Sequence, residues 1–185
     1  MKIAISGYVG TGKTTLGLAL SKYLKEKYNI DIEPITMTFK ELAKKKGMTL
    51  EEFQLLAQKD PNIDKEFDKA LLEKASQKPN AIVATWLAVW LFKDADLKIF
   101  LTTNLEERIR RLMERDNMSY EEAKEHILLR DKQNHDRYLK VYGIDISRPM
   151  DVAHLILDTA YYSVEDELKV IETTLKQKNL LPQKE

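Results

Sequence analysis

The sequence has no cysteine among its 185 residues, and it is poor in glycine and proline, with six and five respectively. The absence of thiols excludes thiolate catalysis, Cys-ligated zinc and iron–sulfur clusters, and it suits a reducing compartment. Because the chain also has no low-complexity linker, most of it is expected to be ordered. A chain of this length buries a sizeable core, so we expect one globular domain, residues 1–185, without disulfides or a structural metal.

An excess of charge of one sign is also missing, because 30 Lys and Arg balance 30 Asp and Glu. The protein therefore has no overall field that would draw it to nucleic acid or to anionic lipid. No stretch approaches the roughly 18 apolar residues of a membrane span, and residues 1–10 lack the pattern of a signal peptide. We expect a cytoplasmic protein with neither membrane nor nucleic-acid partners, present as a monomer or a weak homo-oligomer.

Short apolar runs alternate with longer helical patterns along the chain, which is typical of α/β folds. Five buried strands of a parallel sheet are predicted, at residues 2–6, 30–36, 81–85, 97–102 and 154–159. Helices on both faces of this sheet would give a three-layer α/β fold. Three helices are expected to begin with a capping box, in which a hydroxyl and an acidic side chain satisfy amides at the helix start. The pairs are Thr49 with Glu52, Ser119 with Glu122, and Ser163 with Asp166.

Two connections are much longer than the others and divide the domain into a core and two helical additions. The core comprises residues 1–38, 80–104 and 150–178, and a flexible end is expected at 179–185. Residues 39–79 predict a helical insert that would bind an acceptor, with two or three helices broken at Gly47 and at Asp60-Pro61. Residues 105–143 predict a helical lid, broken near Asn117 and closed by Gly143.

The motif G-x-x-x-x-G-K-[ST] directly follows the first predicted strand and opens a helical pattern. It is formed by Gly7, Tyr8, Val9, Gly10, Thr11, Gly12, Lys13 and Thr14, with Thr15 after it. Its glycines let the backbone bend so that several N–H groups and the start of the helix face phosphate oxygens. Lys13 is the predicted catalytic cation at the β- and γ-phosphates, and the Thr14 hydroxyl is the predicted Mg²⁺ ligand. The segment therefore predicts an ATP site in a P-loop fold.

The rest of the sequence favours phosphoryl transfer to a small molecule over other uses of a P-loop. The N-K-x-D and D-x-x-G motifs of switch GTPases are absent. Motor and AAA ATPases use an apolar run that ends in an acid, whereas the third predicted strand here ends in Ala84-Thr85-Trp86. A kinase needs an acceptor subdomain and a closing lid that carries cations, and this chain has candidates for both.

The predicted lid is rich in arginine, whose planar charged group matches phosphate oxygens two at a time. Arg108, Arg111 and Arg115 are spaced to share one helical face. Arg130 and Arg137, seven residues apart, share another. The alternative interpretation is that these arginines lie on solvated faces and pair with nearby acids. The candidate partners are Glu106, Glu107, Glu114 and Asp116.

Several further segments occur in the order and spacing of one known family. They are Phe39-Lys40-Glu41-Leu42-Ala43, Asp60-Pro61-x-Ile63-Asp64 and Tyr142-Gly143-Ile144-Asp145-Ile146. Together with the P-loop and the arginines, they make the chain resemble the archaeal-type cytidylate kinases from residue 1 to about residue 175. This resemblance implies transfer of the γ-phosphate of ATP to CMP or dCMP with Mg²⁺. It also implies catalytic, phosphate-clamping roles for Arg115, Arg130 and Arg137, and an adenine site near Arg111 and the loop after residues 157–159.

The chain departs from the family where the acceptor would bind. The family has an acid-Gly-Arg step after the third strand, whereas this chain has Ala84-Thr85-Trp86. Lysines stand at positions 40 and 69, where the family has arginines, so the positive charge is kept and the planar fork is lost. The predicted acceptor-binding residues are Phe39, Lys40, Lys69 and Trp86.

These departures leave two alternatives to a nucleoside monophosphate kinase. One is a P-loop ATP-binding protein without efficient transfer, and the other is a kinase for a different small-molecule acceptor. The Trp86 ring would stack on a base or ring of the acceptor, or it would pack with Trp90 as core at helical spacing. With alanine at position 84, Glu33 is the candidate for a second acid in the Mg²⁺ shell.

Overall fold

The computed structural model describes residues 1–37, 39–60 and 62–182, apart from the side chains at positions 39, 50, 51, 54, 57 and 58. Its centre is a sheet of five parallel strands in the order β2-β3-β1-β4-β5. The strands are β1 (Lys2–Gly7), β2 (Glu33–Ile35), β3 (Ala81–Ala84), β4 (Leu97–Thr102) and β5 (Leu155–Asp158). The predicted five-stranded parallel sheet is confirmed.

Helices cover both faces of the sheet, as the three-layer prediction requires. They are α1 (Lys13–Tyr28), α2 (Phe39–Lys45), α3 (Leu50–Lys59), α4 (Asn62–Ser76), α5 (Ala88–Leu91), α6 (Leu105–Asp116), α7 (Tyr120–Tyr142) and α8 (Val164–Gln177). A short 3₁₀ helix covers Pro149–Asp151. One face of the sheet packs against α1 and α8, and the other packs against α4 and α5. Within the described residues, no helix is both long enough and apolar enough to span a bilayer.

The central strand β1 is apolar on both faces, which explains its position in the sheet. Ile3, Ala4 and Ile5 are fully buried. Ile3 and Ile5 contact the core beneath α1 and α8, whereas Ala4 contacts the core on the opposite face. The strands that follow β1 lie first on one side of it and then on the other, so the order reverses there. Such a reversal opens a crevice at the carboxyl ends of the strands, and the loop after Gly7 lies at this edge.

The two helical additions each have a small core of their own. Among the described side chains, the cluster that α2, α3 and α4 share contains the buried residues Leu42, Ala43, Phe53 and Ile63. The turn between α6 and α7 brings these helices together over Ile109, Leu112, Ala123 and Ile127. All three predicted capping boxes are present, at the starts of α3, α7 and α8. The local signals for helix starts are therefore confirmed.

The limits of β1, β3, β4 and β5 agree with the predictions to within one residue, whereas β2 is much shorter than predicted. β2 covers three residues instead of residues 30–36, because it is an edge strand paired with β3 alone and Pro34 has no amide hydrogen to donate. The end predicted to be flexible, residues 179–185, packs on the core at Leu181. Leu181 is buried against the core beneath α1 and α8, and the Leu180 amide donates to the Leu175 carbonyl over 2.9 Å. Residues 183–185 lie outside the described part of the chain.

Candidate active site

The loop between β1 and α1 has the shape that phosphate binding requires. Gly10 and Gly12 adopt positive φ angles of 78° and 93°, which side chains rarely allow. The Thr11 hydroxyl donates to the Tyr8 carbonyl over 2.8 Å and closes the loop on itself. The N-cap residue of α1 is Gly12, which has no side chain to cap the helix. The first amides of α1 are therefore available to an anionic ligand.

Lys13 is folded back over this loop. Its half-buried ammonium donates to the Tyr8 carbonyl over 2.7 Å and lies 5.3 Å from the centre of the Trp86 ring. Burial, together with the nearby Arg108 guanidinium, lowers the pKa of the Lys13 ammonium to about 7. A phosphate anion at the loop would favour the charged form, so ligand binding and protonation of Lys13 support each other.

Replacing Gly7 by alanine is expected to reduce the free energy of unfolding by about 2 kcal/mol. The new Cβ would lie 2.6 Å from the Leu101 carbonyl oxygen and 2.5 Å from the Thr11 hydroxyl oxygen. Gly17→Ala is the matched control, because a Cβ there would meet its nearest neighbours, Ala84 and Ile82, at an ordinary 3.7 Å. Since alanine favours helix, this control should stabilise the protein by up to about 1 kcal/mol. Urea denaturation measures both, and equal effects would contradict the proposed crowding at Gly7.

Arg108 holds the phosphate loop against the lid helices. Its Nε donates to the Val9 carbonyl over 2.8 Å, and its two terminal nitrogens donate to Asp131 of α7 over 2.8 and 2.7 Å. Its guanidinium lies 5.3 Å from the centre of the Tyr8 ring. Arg108 is therefore occupied within the protein. The spacing of Arg108 places it on one face with Arg111 and Arg115, but no pattern in the sequence indicates that Asp131 is its partner.

Arg111 lies between the phosphate loop and the loop after β5. One terminal nitrogen donates to the Thr159 hydroxyl over 2.8 Å and to the Gly10 carbonyl over 3.2 Å. The other donates to the Thr159 carbonyl over 2.6 Å, and Nε donates to Glu107. Arg111 and the loop after β5 therefore lie side by side, and the adenine site near them stays a prediction.

A cavity of about 700 Å³ opens directly over the phosphate loop. Its lining residues are Val9, Gly10, Gly12, Lys13, Thr14, Thr15, Trp86, Arg111, Leu112, Glu114 and Arg115. Arg115 also pairs with Asp116 over 2.6 Å at an exposed position, as the alternative of a solvated face predicts. Its phosphate-clamping role stays a prediction. The structure thus brings Arg111 and Arg115 to the same cavity as Lys13.

A second cavity of about 540 Å³ lies on the other side of Arg111. It shares Gly12, Thr15 and Arg111 with the first cavity. Its remaining lining residues are Thr11, Thr159, Ala160, Tyr161, Tyr162, Ser163, Val164 and Glu167. Sequence reasoning did not single out Tyr161, Tyr162 or Glu167. The two tyrosines lie in the loop before α8 and Glu167 lies in its first turns, beside a capping box that indicates a helix start and no ligand. Only folding brings these residues to the phosphate loop.

Arg130 and Arg137 lie away from both cavities. Arg130 is exposed, and within the described part of the chain it has neither a hydrogen bond nor an ion pair. Arg137 lies 3.4 Å from Asp64 of α4 and stacks on Tyr138, with 5.1 Å to the ring centre. The roles of these two arginines on the moving phosphoryl group stay predictions.

Trp86 lies between an apolar cluster and the phosphate-loop cavity, and its stacking on an acceptor stays a prediction. Its ring lies 5.6 Å from Tyr8 and 6.3 Å from Tyr138, measured between ring centres. Trp86 and Trp90 border the same apolar cluster, which contains Leu87 and Tyr138. The ring also lines the phosphate-loop cavity. Trp86 is therefore partly core and partly a wall of the site.

Two other predicted acceptor residues, Lys40 and Lys69, do not line either of these cavities. Lys69 is 77% exposed, lies 3.8 Å from Glu73 and borders a separate hollow near Tyr142. Lys40 is exposed at the start of α2, and the side chain of Phe39 lies outside the described part of the structure. The acceptor roles of Lys40, Lys69 and Phe39 therefore stay predictions.

Of the two candidate magnesium ligands, Thr14 lies at the phosphate-loop cavity and Glu33 lies at the opposite edge of the sheet. Thr14 is exposed to the phosphate-loop cavity, so its hydroxyl is placed to join a Mg²⁺ shell completed by phosphate oxygens and water. Within the described residues there is no group of three or more His, Asp or Glu that would hold a metal by itself. The proposal of Glu33 as a second acid is wrong. Glu33 begins β2 at the amino edge of the sheet, where it pairs with Lys78 over 3.2 Å.

The chain is similar to known proteins over most of its length. A sequence profile of the cytidylate kinase-like family matches residues 2–161. The cytidylate kinase of Pyrococcus horikoshii is 38% identical over 173 residues, which cover 94% of this chain and 87% of that protein. The cytidylate kinase of Pyrobaculum neutrophilum is 38% identical over 181 residues, covering 95% of each.

Solved structures support the fold. Shikimate kinase from Bacteroides thetaiotaomicron has a TM-score of 0.60 at 17% identity, covering 95% of this chain and 98% of that one. Shikimate kinase from Acinetobacter baumannii, in complex with shikimate, has a TM-score of 0.58 at 19% identity, covering 97% and 94%. At such low identity these structures establish the fold alone. From the profile match over residues 2–161 and the identities to archaeal relatives, the chain belongs to the cytidylate kinase-like family.

Proposed function

We propose that this protein transfers the γ-phosphoryl group of ATP to CMP or dCMP, giving ADP and the corresponding diphosphate. The observation that carries the proposal is the phosphate-loop cavity, where Lys13, Arg111 and Arg115 converge, in a chain of the cytidylate kinase-like family. Three cations around one loop suit a triphosphate, whose charge must be neutralised before its terminal group can move. The alternative of an ATP-binding protein without transfer is not favoured, since the relatives in hand are named as kinases.

ATP would lie across both cavities. Its β- and γ-phosphates would face Lys13 and the first amides of α1, and its base would enter the cavity beyond Arg111. The Thr14 hydroxyl would hold Mg²⁺, which supplies charge neutralisation at the phosphates when it is bound. Arg111, held by hydrogen bonds to Thr159 and Gly10, would lie between the two cavities and position the phosphates in one and the base in the other.

Transfer needs positioning more than acid–base chemistry. The bond from Pγ to the oxygen that bridges the β- and γ-phosphates breaks, and a bond from Pγ to a phosphate oxygen of CMP forms. That acceptor oxygen is already anionic, so no protein base is required. Lys13 and Arg115 would stabilise the charge on the moving group, and Trp86 would close the cavity beside Lys13. We assign the lid role to α6 and α7 and the acceptor role to the insert of α2, α3 and α4.

Adding CMP or dCMP is expected to raise the release of ADP from ATP and Mg²⁺ at least about a hundredfold over the rate without acceptor. The comparison acceptors are UMP, AMP, GMP and dTMP, and shikimate serves as a non-nucleotide control because shikimate kinases share the fold. ADP release is measured by a coupled assay, and ATP binding is measured separately by calorimetry. Stimulation by shikimate alone, or binding of ATP without stimulation by any acceptor, would contradict the proposal.

A further inference from the structure

Glu167 is a buried carboxyl that the proposed transfer does not use. It lies in the first turns of α8, and only 3% of the residue is exposed. Within the described part of the chain, its side chain has neither a hydrogen-bond donor nor an ion-pair partner. A carboxyl buried in this way is costly unless something satisfies it. A ligand that donates hydrogen bonds, or protonation of the carboxyl, would therefore stabilise Glu167 at this position.

The surroundings of Glu167 point to a ligand. Glu167 lines the cavity beyond Arg111, on the side away from Lys13. The wall contains Arg111 and the aromatic rings of Tyr161 and Tyr162, whose centres lie 5.0 Å apart. Tyr161 is 80% exposed, so this wall is open to solvent and accessible to a flat molecule. A cavity with aromatic and guanidinium surfaces and a single carboxyl fits a nucleobase.

The charged and titratable groups around Glu167 are few. From α6 the cavity receives Arg111, whose Nε is bonded to Glu107, and from the loop it receives Tyr161 and Tyr162. The phosphate loop and α1 contribute Thr11, Gly12 and Thr15, which carry no charge. On α8 itself, Asp166 bonds to Ser163 and Glu165 bonds to Lys169 at exposed positions. Burial raises the pKa of the Glu167 carboxyl to about 7, and Arg111 opposes this only partly.

We propose that Glu167 binds the base of the phosphate donor and that its protonation state sets the preference between adenine and guanine. The proposal rests on the donor site described under the proposed function. The neutral carboxyl has one acceptor oxygen and one O–H donor. The neutral carboxyl accepts a hydrogen bond from the exocyclic amine of adenine and donates one to N1, so both polar groups on this edge of adenine have a partner. The carboxylate has acceptors only, so it instead receives the N1–H and the exocyclic amine of guanine.

The preference is measured as the ratio of the Kd values for GTP and ATP, without an acceptor, between pH 5.5 and 8.5. Both nucleotides share the phosphate contacts, so the protonation of Lys13 cancels in this ratio. For the unaltered protein the ratio should fall at least about tenfold as the pH rises through 7, since hydrogen bonds to charged groups are strong. Glu167→Gln keeps one acceptor and adds an N–H donor, so its preference for ATP should persist at every pH.

Two further variants sharpen the test. Glu167→Leu should bind ATP and GTP within about threefold of each other at every pH. Glu165→Gln is the matched control, because it makes the same chemical change at an exposed position of the same helix turn, and it should keep the pH-dependent ratio. Circular dichroism shows whether each variant is folded. If Glu167→Leu does not fold, Glu167→Gln alone is sufficient to test the role of Glu167.

The outcomes separate this inference from the proposed function. A ratio that does not change with pH, and that Glu167→Gln leaves unaltered, would overturn the role of Glu167 even if CMP is phosphorylated. A pH-dependent ratio that Glu167→Gln abolishes would support that role even if no acceptor stimulates ADP release. Because binding is measured without an acceptor, failure of transfer does not affect the result.

Discussion

Lys13→Ala is expected to lower kcat for phosphoryl transfer by a factor of about 10²–10³ while the protein stays folded. The ammonium would neutralise charge that develops on the phosphates, and such a contact in a half-buried site is worth several kcal/mol to the transition state. Its loss costs the fold little, because the ammonium makes one hydrogen bond, to the Tyr8 carbonyl, and one ring contact, with Trp86. ADP release with CMP as acceptor measures the rate, and circular dichroism monitors the fold.

The matched control for this prediction is Lys22→Ala. Lys22 also lies on α1, but it is exposed and pairs with Glu26 over 3.9 Å, away from the loop. Its replacement should leave kcat within about twofold of the original. If Lys13→Ala keeps more than about a tenth of the rate, the electrostatic role assigned to Lys13 is wrong.

Arg108→Met is expected to lower the free energy of unfolding by about 2 to 3 kcal/mol and to weaken ATP binding. Removing one partner of a buried ion pair leaves the other charge without compensation. Here Asp131 would lose both of its bonds to Arg108, and the Val9 carbonyl would lose its donor. The magnitude is below that of a fully buried pair because the Asp131 side chain is 23% exposed. Urea denaturation gives the stability, and calorimetry gives the Kd for ATP.

Arg110→Met on the same helix is the control for Arg108→Met. Arg110 is exposed and pairs only with Glu107 and Glu114 of its own helix, among the residues described. Its replacement should change stability by no more than about 0.5 kcal/mol. The double variant Arg108→Met with Asp131→Leu should recover part of the lost stability, because it removes the isolated charge as well. Equal losses for Arg108→Met and Arg110→Met would show that the bridge from loop to lid does not stabilise the protein.

Features encoded by neighbouring residues were predictable from the sequence. The P-loop is one, because its glycines, Lys13 and Thr14 all lie within residues 7–14 and generate their own local geometry. The capping boxes are another, since each places its two partners three residues apart. The parallel sheet followed from apolar runs that alternate with helical patterns, because a strand buried on both faces must be apolar throughout.

The resemblance to a family predicted which region binds the acceptor, but it did not predict the contacts that the side chains of this region make. It assigned Lys40 and Lys69 to the acceptor, and the structure leaves both exposed and outside the two cavities at the P-loop. It grouped Arg130 with Arg137, of which one is exposed and the other lies beside Asp64. Spacing along a helix determines which side chains share a face. It does not determine which other segments of the fold that face contacts.

The sequence by itself therefore determined the α/β fold, the phosphate loop and phosphoryl transfer as the predicted class of reaction. These depend on local patterns and on residues that are close together in the chain. Only the tertiary structure decided that Arg108 is a structural bridge, that Arg111 joins two cavities, and that Glu167 lines the second of them. Arg108 meets the Val9 carbonyl across 99 positions of chain, and Arg111 meets Thr159 across 48. The burial and partners of a side chain depend on such distant segments, and folding brings them together.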